Sequence, residues 1–309
     1  MTLQLDSDGR LRHLLALDGL PRETLLRLLD RAGQIRDTAL GRNCKRNSLV
    51  GTTLCTLFFE PSTRTRSSFQ IAAQRLGADI VNFEASTSSA RKGETALDTL
   101  RNLEAMGVRG FVVRHAEDGA VEMLAAHAGE GTTVINAGDG RSAHPTQGLL
   151  DALTIRQAKG ADFSKLKVLI VGDVKHSRVA RSDLHALYTL GAGEIRVCGP
   201  QALLPDDDTL KGCEAGADFD AMLEGVDVVM MLRLQRERME EGLVASLDGY
   251  HRDFGLPAPR LRRAAPDAVV LHPGPINRGI EITDEVADGP QSLVLRQVSN
   301  GVAVRMAVL

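Results

Sequence analysis

Short β-branched runs separated by helical stretches constrain this chain more than any other feature. LVGTTLCTLFF (49–59), ADIVNF (78–83), GFVVR (110–114) and TTVINAG (132–138) have strand composition, and residues 66–76, 95–106 and 120–128 between them have helical spacing. After a helix led by Pro145 and ending at Gly160 the cycle restarts: LKVLIVG (166–172), EIRVCG (194–199), VDVVMML (226–232) and DAVVLH (267–272) are four more strands. Strands that alternate with helices pair in parallel, because a parallel neighbour is reached only by a crossover long enough to hold a helix. The expected fold class is therefore α/β, with two doubly wound parallel-sheet domains. A chain of 309 residues is long for one core and comfortable for two. The expected limits are 1–150 and 151–289, with the amphipathic segment 290–309 returning to the first domain as a C-terminal helix.

Composition narrows the function classes. Apolar content of 43% and charged content of 25% are those of a soluble globular protein. The formal net charge of -3 supplies no global basic field for nucleic acid, so any anion site must be local. The first twenty residues mix acids and bases and lack the apolar core of a signal peptide, and no apolar run approaches a membrane span. Cys44, Cys55, Cys198 and Cys213 form no C-x-x-C pair and no zinc spacing, and Cys55 and Cys198 lie in strand-like runs where a buried reduced thiol is expected. These features point to a cytoplasmic protein with no metal and no cofactor. The P-loop pattern is absent, and GDVKHSRVARS lacks the G-x-G-x-x-G of a nicotinamide-cofactor site.

In doubly wound folds ligands bind at the carboxyl ends of the strands. The stretch FFEPSTRTRSSF (58–69) passes from strand to helix and carries Ser62, Thr63, Arg64 and Thr65 at the junction. A helix N-terminus offers unpaired N–H groups and a positive dipole end, and hydroxyls with a planar guanidinium add donors suited to phosphate. A plain N-cap with a solvated arginine is the alternative, but one hydroxyl would serve that. Other strand ends carry Arg114, then His144 with Gln147, then Lys175 with Arg178, then Arg233 with Gln235, then His272 with Pro275. Singly, each arginine reads as a surface charge. Together they describe a site for a ligand with more than one negative group.

Residue by residue, the chain resembles the aspartate/ornithine carbamoyltransferase family. Its S-T-R-T-R (62–66) and H-P-T-Q (144–147), with K-G-E-T (92–95) and L-H-P-G-P (271–275), match that family's motifs over essentially the whole chain. The aspartate branch fits better, because the ornithine branch carries a cysteine in the motif where this chain has His272-Pro273-Gly274-Pro275. The resemblance implies transfer of a carbamoyl group from carbamoyl phosphate to the amino group of L-aspartate, an early step of pyrimidine synthesis, at an active site between the two domains.

The resemblance also implies roles. Ser62, Thr63, Arg64 and Thr65 would hold the phosphate; Thr65, Arg114 and His144 would surround the carbamoyl oxygen as an oxyanion hole. Gln147 and the Gly274 carbonyl, next to Pro275 and a candidate cis peptide, would hold the carbamoyl nitrogen. Arg178 and Arg233 would clamp the aspartate carboxylates, with Gln235 nearby. EASTSSARKGET (84–95) reads by composition as a mobile loop or solvated linker, but the resemblance has Ser88 and Lys92 reach the active site of a neighbouring subunit in a homotrimer. One departure is Arg91, where the family has lysine. It further suggests that Glu60 bridges to Arg178 and Arg238 on domain closure and leaves open a larger assembly with regulatory or dihydroorotase-like chains; the stretch from Arg233 to about Leu256 reads as a long, charged loop that moves when aspartate binds. The rivals are a transcarbamylase for ornithine or a related amine, a non-catalytic scaffold of the same fold, and a dehydrogenase.

Overall fold

The computed structural model describes residues 3–39, 45–84, 93–234 and 246–309. Its contacts divide the chain into Met1–Leu150 with Val298–Leu309, and Asp151–Gln297.

The first unit runs α1 (Arg22–Ala39), β1 (Thr53–Phe58), α2 (Thr63–Leu76), β2 (Asp79–Glu84), α3 (Ala96–Ala105), β3 (Gly110–His115), α4 (Ala120–Ala126), β4 (Thr133–Asp139) and the start of α5 (Pro145–Lys159). Its sheet is parallel in the order β2-β1-β3-β4. Successive side chains of a strand point to opposite faces, and both faces here are covered. Cys55, Leu57, Phe111, Val113 and Val134 pack with Leu100 of α3 and Val121 and Leu124 of α4. Phe58, Val112, Ile135 and Ala137 pack with Phe69 of α2 and with the C-terminal Val308 and Leu309. Burial on both sides is why these strands read as continuous apolar runs.

The second unit holds the rest of α5, then β5 (Lys167–Val171), α6 (Arg178–Leu190), β6 (Glu194–Cys198), β7 (Glu214–Gly216), α7 (Phe219–Leu223), β8 (Val228–Met231), α8 (Leu247–Phe254), α9 (Ala258–Leu261), β9 (Val269–Leu271), α10 (Asp284–Ala287) and the start of α11 (Val294–Val308). Its sheet is also parallel, in the order β7-β6-β5-β8-β9. One face packs Leu169, Val171, Val229 and Met231 against Phe219, Leu223, Tyr250 and Phe254. The expected α/β class with two parallel sheets is what the chain adopts. The end of α11 returns to the first unit as expected, where Ala303 and Met306 pack with Ile35 of α1 and with Ala72 and Leu76 of α2.

Three elements depart from the sequence reading. The run from 49 begins as a strand only at Thr53, because Thr52 N–H closes a turn onto the Leu49 carbonyl and Gly51 sits at φ 79. β7 was not anticipated: Glu-Ala-Gly holds no β-branched residue and lies at the sheet edge. Part of the segment expected as a long loop after Arg233 is helix α8, which buries Tyr250 and Phe254 four residues apart. The sequence reading also passed over α1, whose Leu25, Leu29, Ala32 and Ile35 form one buried stripe.

Buried thiols at Cys55 and Cys198 are free, and burial pushes both up to about 12. Among the described residues no helix is long and apolar enough to cross a membrane.

The segment before α1 is tied to β4. Leu14 N–H donates to the Val134 carbonyl, Asn136 N–H to the Leu14 carbonyl, and Val134 N–H to His13 Nδ1. His13 is fully buried, and burial, then the Arg12 charge, pull its pKa down to about 4. The unfolded chain therefore binds the proton first as pH falls, so stability is complete above the ordinary value of 6.5 and drains away between 6.5 and 4. The shift corresponds to about 3 kcal/mol. Denaturant unfolding at pH 7 and pH 4 should show the wild type losing about that much more than His13→Gln.

Candidate active site

Strand order reverses between β1 and β3 in the first sheet and between β5 and β8 in the second. The chain leaves the sheet in opposite directions on the two sides of such a point, so the loops part and open a crevice at the strands' carboxyl ends. The candidate residues lie at these two places.

In the first unit β1 ends at Phe58 and α2 begins at Thr63. Ser62 is the N-cap, in extended conformation, yet its side chain makes no cap hydrogen bond. Thr95, Ser177 and Ser246 cap α3, α6 and α8 by accepting from the N–H groups of Asp98, Ala180 and Gly249. The first turn of α2 also contains no acid. A positive helix end with no acid in its first turn and no hydroxyl folded back onto it is suited to an incoming anion. Thr63 and Arg64 are exposed at this end and Thr65 is buried. The Arg66 guanidinium lies 5.3 Å over the Phe58 ring.

Arg114 stands next to the end of β3, beside this loop. Its Nη2 lies 3.2 Å from Glu60 Oε1 and its Nη1 donates to the Ala137 carbonyl at 3.1 Å. The guanidinium thus links the loop after β1 to β4. After β4 the chain turns back, with Asp139 N–H bonded to the Ala143 carbonyl, and delivers the buried His144 to the start of α5. Gln147, also buried, stands in the first turn, and its N–H donates to the His144 carbonyl at 2.9 Å.

In the second unit, Gly172 follows β5 at φ 126, and a Cβ there would stand 3.0 Å from Tyr250 Oη and 3.2 Å from Leu232 Cβ. Only glycine lets β5 turn this close to the end of β8. Asp173 then accepts from His176 N–H and contacts His176 Nδ1 at 2.9 Å, Ser177 caps α6, and Arg178 opens α6 with its side chain buried. Arg233 follows β8, half-buried, and the next residue donates its N–H to the fully buried Glu281 at 2.7 Å. After β9, His272 Nδ1 accepts the Gly274 N–H at 2.8 Å, Gly274 sits at φ 64, and the Gly274–Pro275 peptide is cis.

The structure thus gathers Ser62, Thr63, Arg64, Thr65, Arg114, His144 and Gln147 along the carboxyl edge of the first sheet, and Arg178, Arg233, Gly274 and Pro275 along that of the second. Ser88, Lys92, Gln235 and Arg238 lie outside the described residues. Glu60, expected to meet Arg178 and Arg238, pairs here with Arg114. Lys175 is a surface charge 3.6 Å from Asp206. Buried polar residues that support these loops, Asp173 and Glu281 above all, were passed over in the sequence. An acid between two isoleucines, Ile280-Glu281-Ile282, was the available signal. Among the described residues no group of three or more His, Cys, Asp or Glu side chains could hold a metal ion.

Comparison with known proteins fits this division. The profile of the aspartate/ornithine carbamoyltransferase carbamoyl-P binding domain matches residues 12–157, and that of the Asp/Orn binding domain matches residues 164–309. The chain belongs to the aspartate/ornithine carbamoyltransferase family. It is 81% identical over 308 residues to the aspartate carbamoyltransferase catalytic subunit of Xanthomonas campestris pv. campestris, covering 100% of this chain and 98% of that one. The corresponding subunit of Stenotrophomonas maltophilia is 80% identical, over 99% and 97% of the two chains. Solved structures from both branches of the family superpose. Aspartate transcarbamoylase of Trypanosoma cruzi, in complex with carbamoyl phosphate and aspartate, does so with a TM-score of 0.85 at 31% identity, over 99% and 98% of the chains. Ornithine carbamoyltransferase of Thermus thermophilus gives 0.84 at 29% identity, over 96% and 97%.

The Glu60–Arg114 pair is largely withdrawn from water, at 21% and 11% side-chain exposure. Glu60→Gln leaves a partly buried guanidinium short of its counter-charge, which costs about 1–3 kcal/mol. Thermal denaturation should show that loss, little reduced by 0.5 M salt because the pair is screened poorly by solvent.

Proposed function

We propose that this chain transfers the carbamoyl group from carbamoyl phosphate to the amino group of L-aspartate, giving N-carbamoyl-L-aspartate and phosphate. The observation that carries the reading is the acid-free N-terminus of α2, with Ser62, Thr63, Arg64 and Thr65 beside Arg114, in a chain so similar throughout to aspartate carbamoyltransferase catalytic subunits. The mildly acidic protein thereby offers two anionic substrates local positive sites.

Residues 1–150 take carbamoyl phosphate and residues 151–289 take aspartate. Ser62, Thr63, Arg64 and Thr65 bind the phosphate, and Arg64 stabilises charge on it as it leaves. Thr65, Arg114 and His144 donate to the carbamoyl oxygen as negative charge builds there. Gln147 and the Gly274 carbonyl, beside Pro275, hold the carbamoyl nitrogen. Arg178 and Arg233 take the two carboxylates of aspartate, with Gln235 beside them. The amine attacks the carbamoyl carbon, the C–O bond to phosphate breaks, and the departing phosphate accepts the amine proton. No side chain is required as general base, so catalysis is mainly positioning and charge stabilisation. Ser88 and Lys92 complete the site from a neighbouring subunit of a homotrimer. The free thiols suit a reducing, cytoplasmic setting.

Arg64→Ala should lower kcat by about 100–1,000-fold, the loss seen when one transition-state donor is removed, with an unchanged circular dichroism spectrum. Near-normal turnover would refute the phosphate assignment. Product analysis with aspartate against ornithine separates the two branches: carbamoyl aspartate should form and carbamoyl ornithine should not. Mixing Arg64→Ala with Lys92→Ala chains tests sharing. Hybrid trimers should regain part of the activity, and none if each chain carries a whole site.

A further inference from the structure

Three buried polar side chains of the second unit form a line of hydrogen bonds that ends at the Gly274 turn. Asp151, Gln297 and His272 are 1%, 3% and 1% exposed. Gln297 Nε2 donates to Asp151 Oδ1 at 2.6 Å, and Gln297 Oε1 accepts the His272 N–H at 2.9 Å. His272 Nδ1 in turn accepts the Gly274 N–H at 2.8 Å. A backbone N–H only donates, so the Gln297 amide presents its oxygen to the His272 N–H and its NH2 to Asp151. With Nδ1 accepting, the neutral ring carries its proton on Nε2, which stands 4.0 Å from Glu281 Oε2.

The line begins on α5. Asp151 follows Gln147 by four residues on that helix, one turn along the same side. Asp183 of α6 is buried against Asp151, and burial, then the Asp151 charge, push Asp183 well above the usual carboxylate range. At the other end, Gly274 sits at φ 64, and the ladder between β8 and β9 has already stopped at Met230 and Leu271. Past that ladder, the side-chain line supplies hydrogen bonds that orient the turn.

We propose that Asp151, Gln297 and His272 are positioning residues for carbamoyl transfer: they aim the Gly274 carbonyl at the carbamoyl nitrogen. This rests on the role given above to Gly274. The three residues touch no substrate and act through the turn. A polar line this deeply buried would serve packing equally well as apolar side chains of the same volume. Its fixed polarity and its end on the Gly274 N–H are what packing does not require.

The test is Gln297→Met, which keeps the volume and removes both bonds. The KM for carbamoyl phosphate should rise about tenfold, since a displaced carbonyl no longer meets the nitrogen. Inhibition by inorganic phosphate against carbamoyl phosphate should keep its wild-type constant, because the α2 cradle does not use the line. A merely structural role would instead lower kcat through lost active molecules at unchanged KM, and that result overturns the proposal. If Gln297→Met does not fold, Asp151→Asn keeps the shape and replaces the carboxyl oxygen that accepts from Gln297 with a weaker amide acceptor. It should raise the same KM several-fold, and an unchanged KM overturns the proposal there too. The wild-type assay is the separate control: failure to make carbamoyl aspartate sinks the functional reading and this inference together, whereas a normal wild type with unmoved variants sinks only this inference.

Discussion

Parallel pairing puts every strand's carboxyl end on one edge of its sheet, and everything else about this protein follows from that edge. A right-handed crossover returns the chain to the opposite edge after each helix, so loops that begin where strands end are collected together. Where the order reverses, at β1 and β3 in one sheet and at β5 and β8 in the other, neighbouring loops diverge and leave room for a ligand. Residues far apart in sequence meet there without any single segment being unusual. Glu60 and Arg114 are adjacent because Phe58 and Arg114 are register partners, and Gly172 approaches Leu232 because Val171 pairs with Met231.

The electrostatics are local for the same reason. A net charge of -3 cannot draw two anions to the surface as a whole. The α2 N-terminus supplies its own positive end, and with no acid in the first turn to neutralise it, Arg64 adds to it. In the second unit arginines rather than helix ends provide the charge, at Arg178 and Arg233. Behind both sets stand polar groups wholly or largely withdrawn from water: Glu60 behind Arg114, Glu281 behind the loop after Arg233, His272 behind Gly274. Such groups are costly in a core unless satisfied, and here their bonds run towards the strand-end loops.

The alternation of strands and helices was legible because both faces of each sheet are buried. Such strands carry unbroken apolar runs, and glycines punctuate them. The loop after β1 was legible as a candidate anion site because its donors are contiguous, from Ser62 to Thr65. The elements hardest to see carried little or no contiguous signature, unlike α1 with its regular apolar stripe. β7 is three residues at an edge with no side-chain pattern. α8 is eight residues within a charged stretch, marked only by Tyr250 and Phe254. Asp151 and Gln297 look like ordinary surface polar residues until the fold buries them.

The sequence by itself determined the α/β class, the two-sheet organisation and the identity of the residues at the strand ends. All of these are written in local periodicity and in short motifs. Tertiary structure decided which strand lies beside which, and with it the pairing of Glu60 with Arg114 and the line from Asp151 through Gln297 to the Gly274 turn. Those contacts join residues 54, 146 and 25 positions apart. Periodicity reports which face a side chain occupies, whereas a partner across such a gap exists only once strand order and helix placement have brought the two segments together.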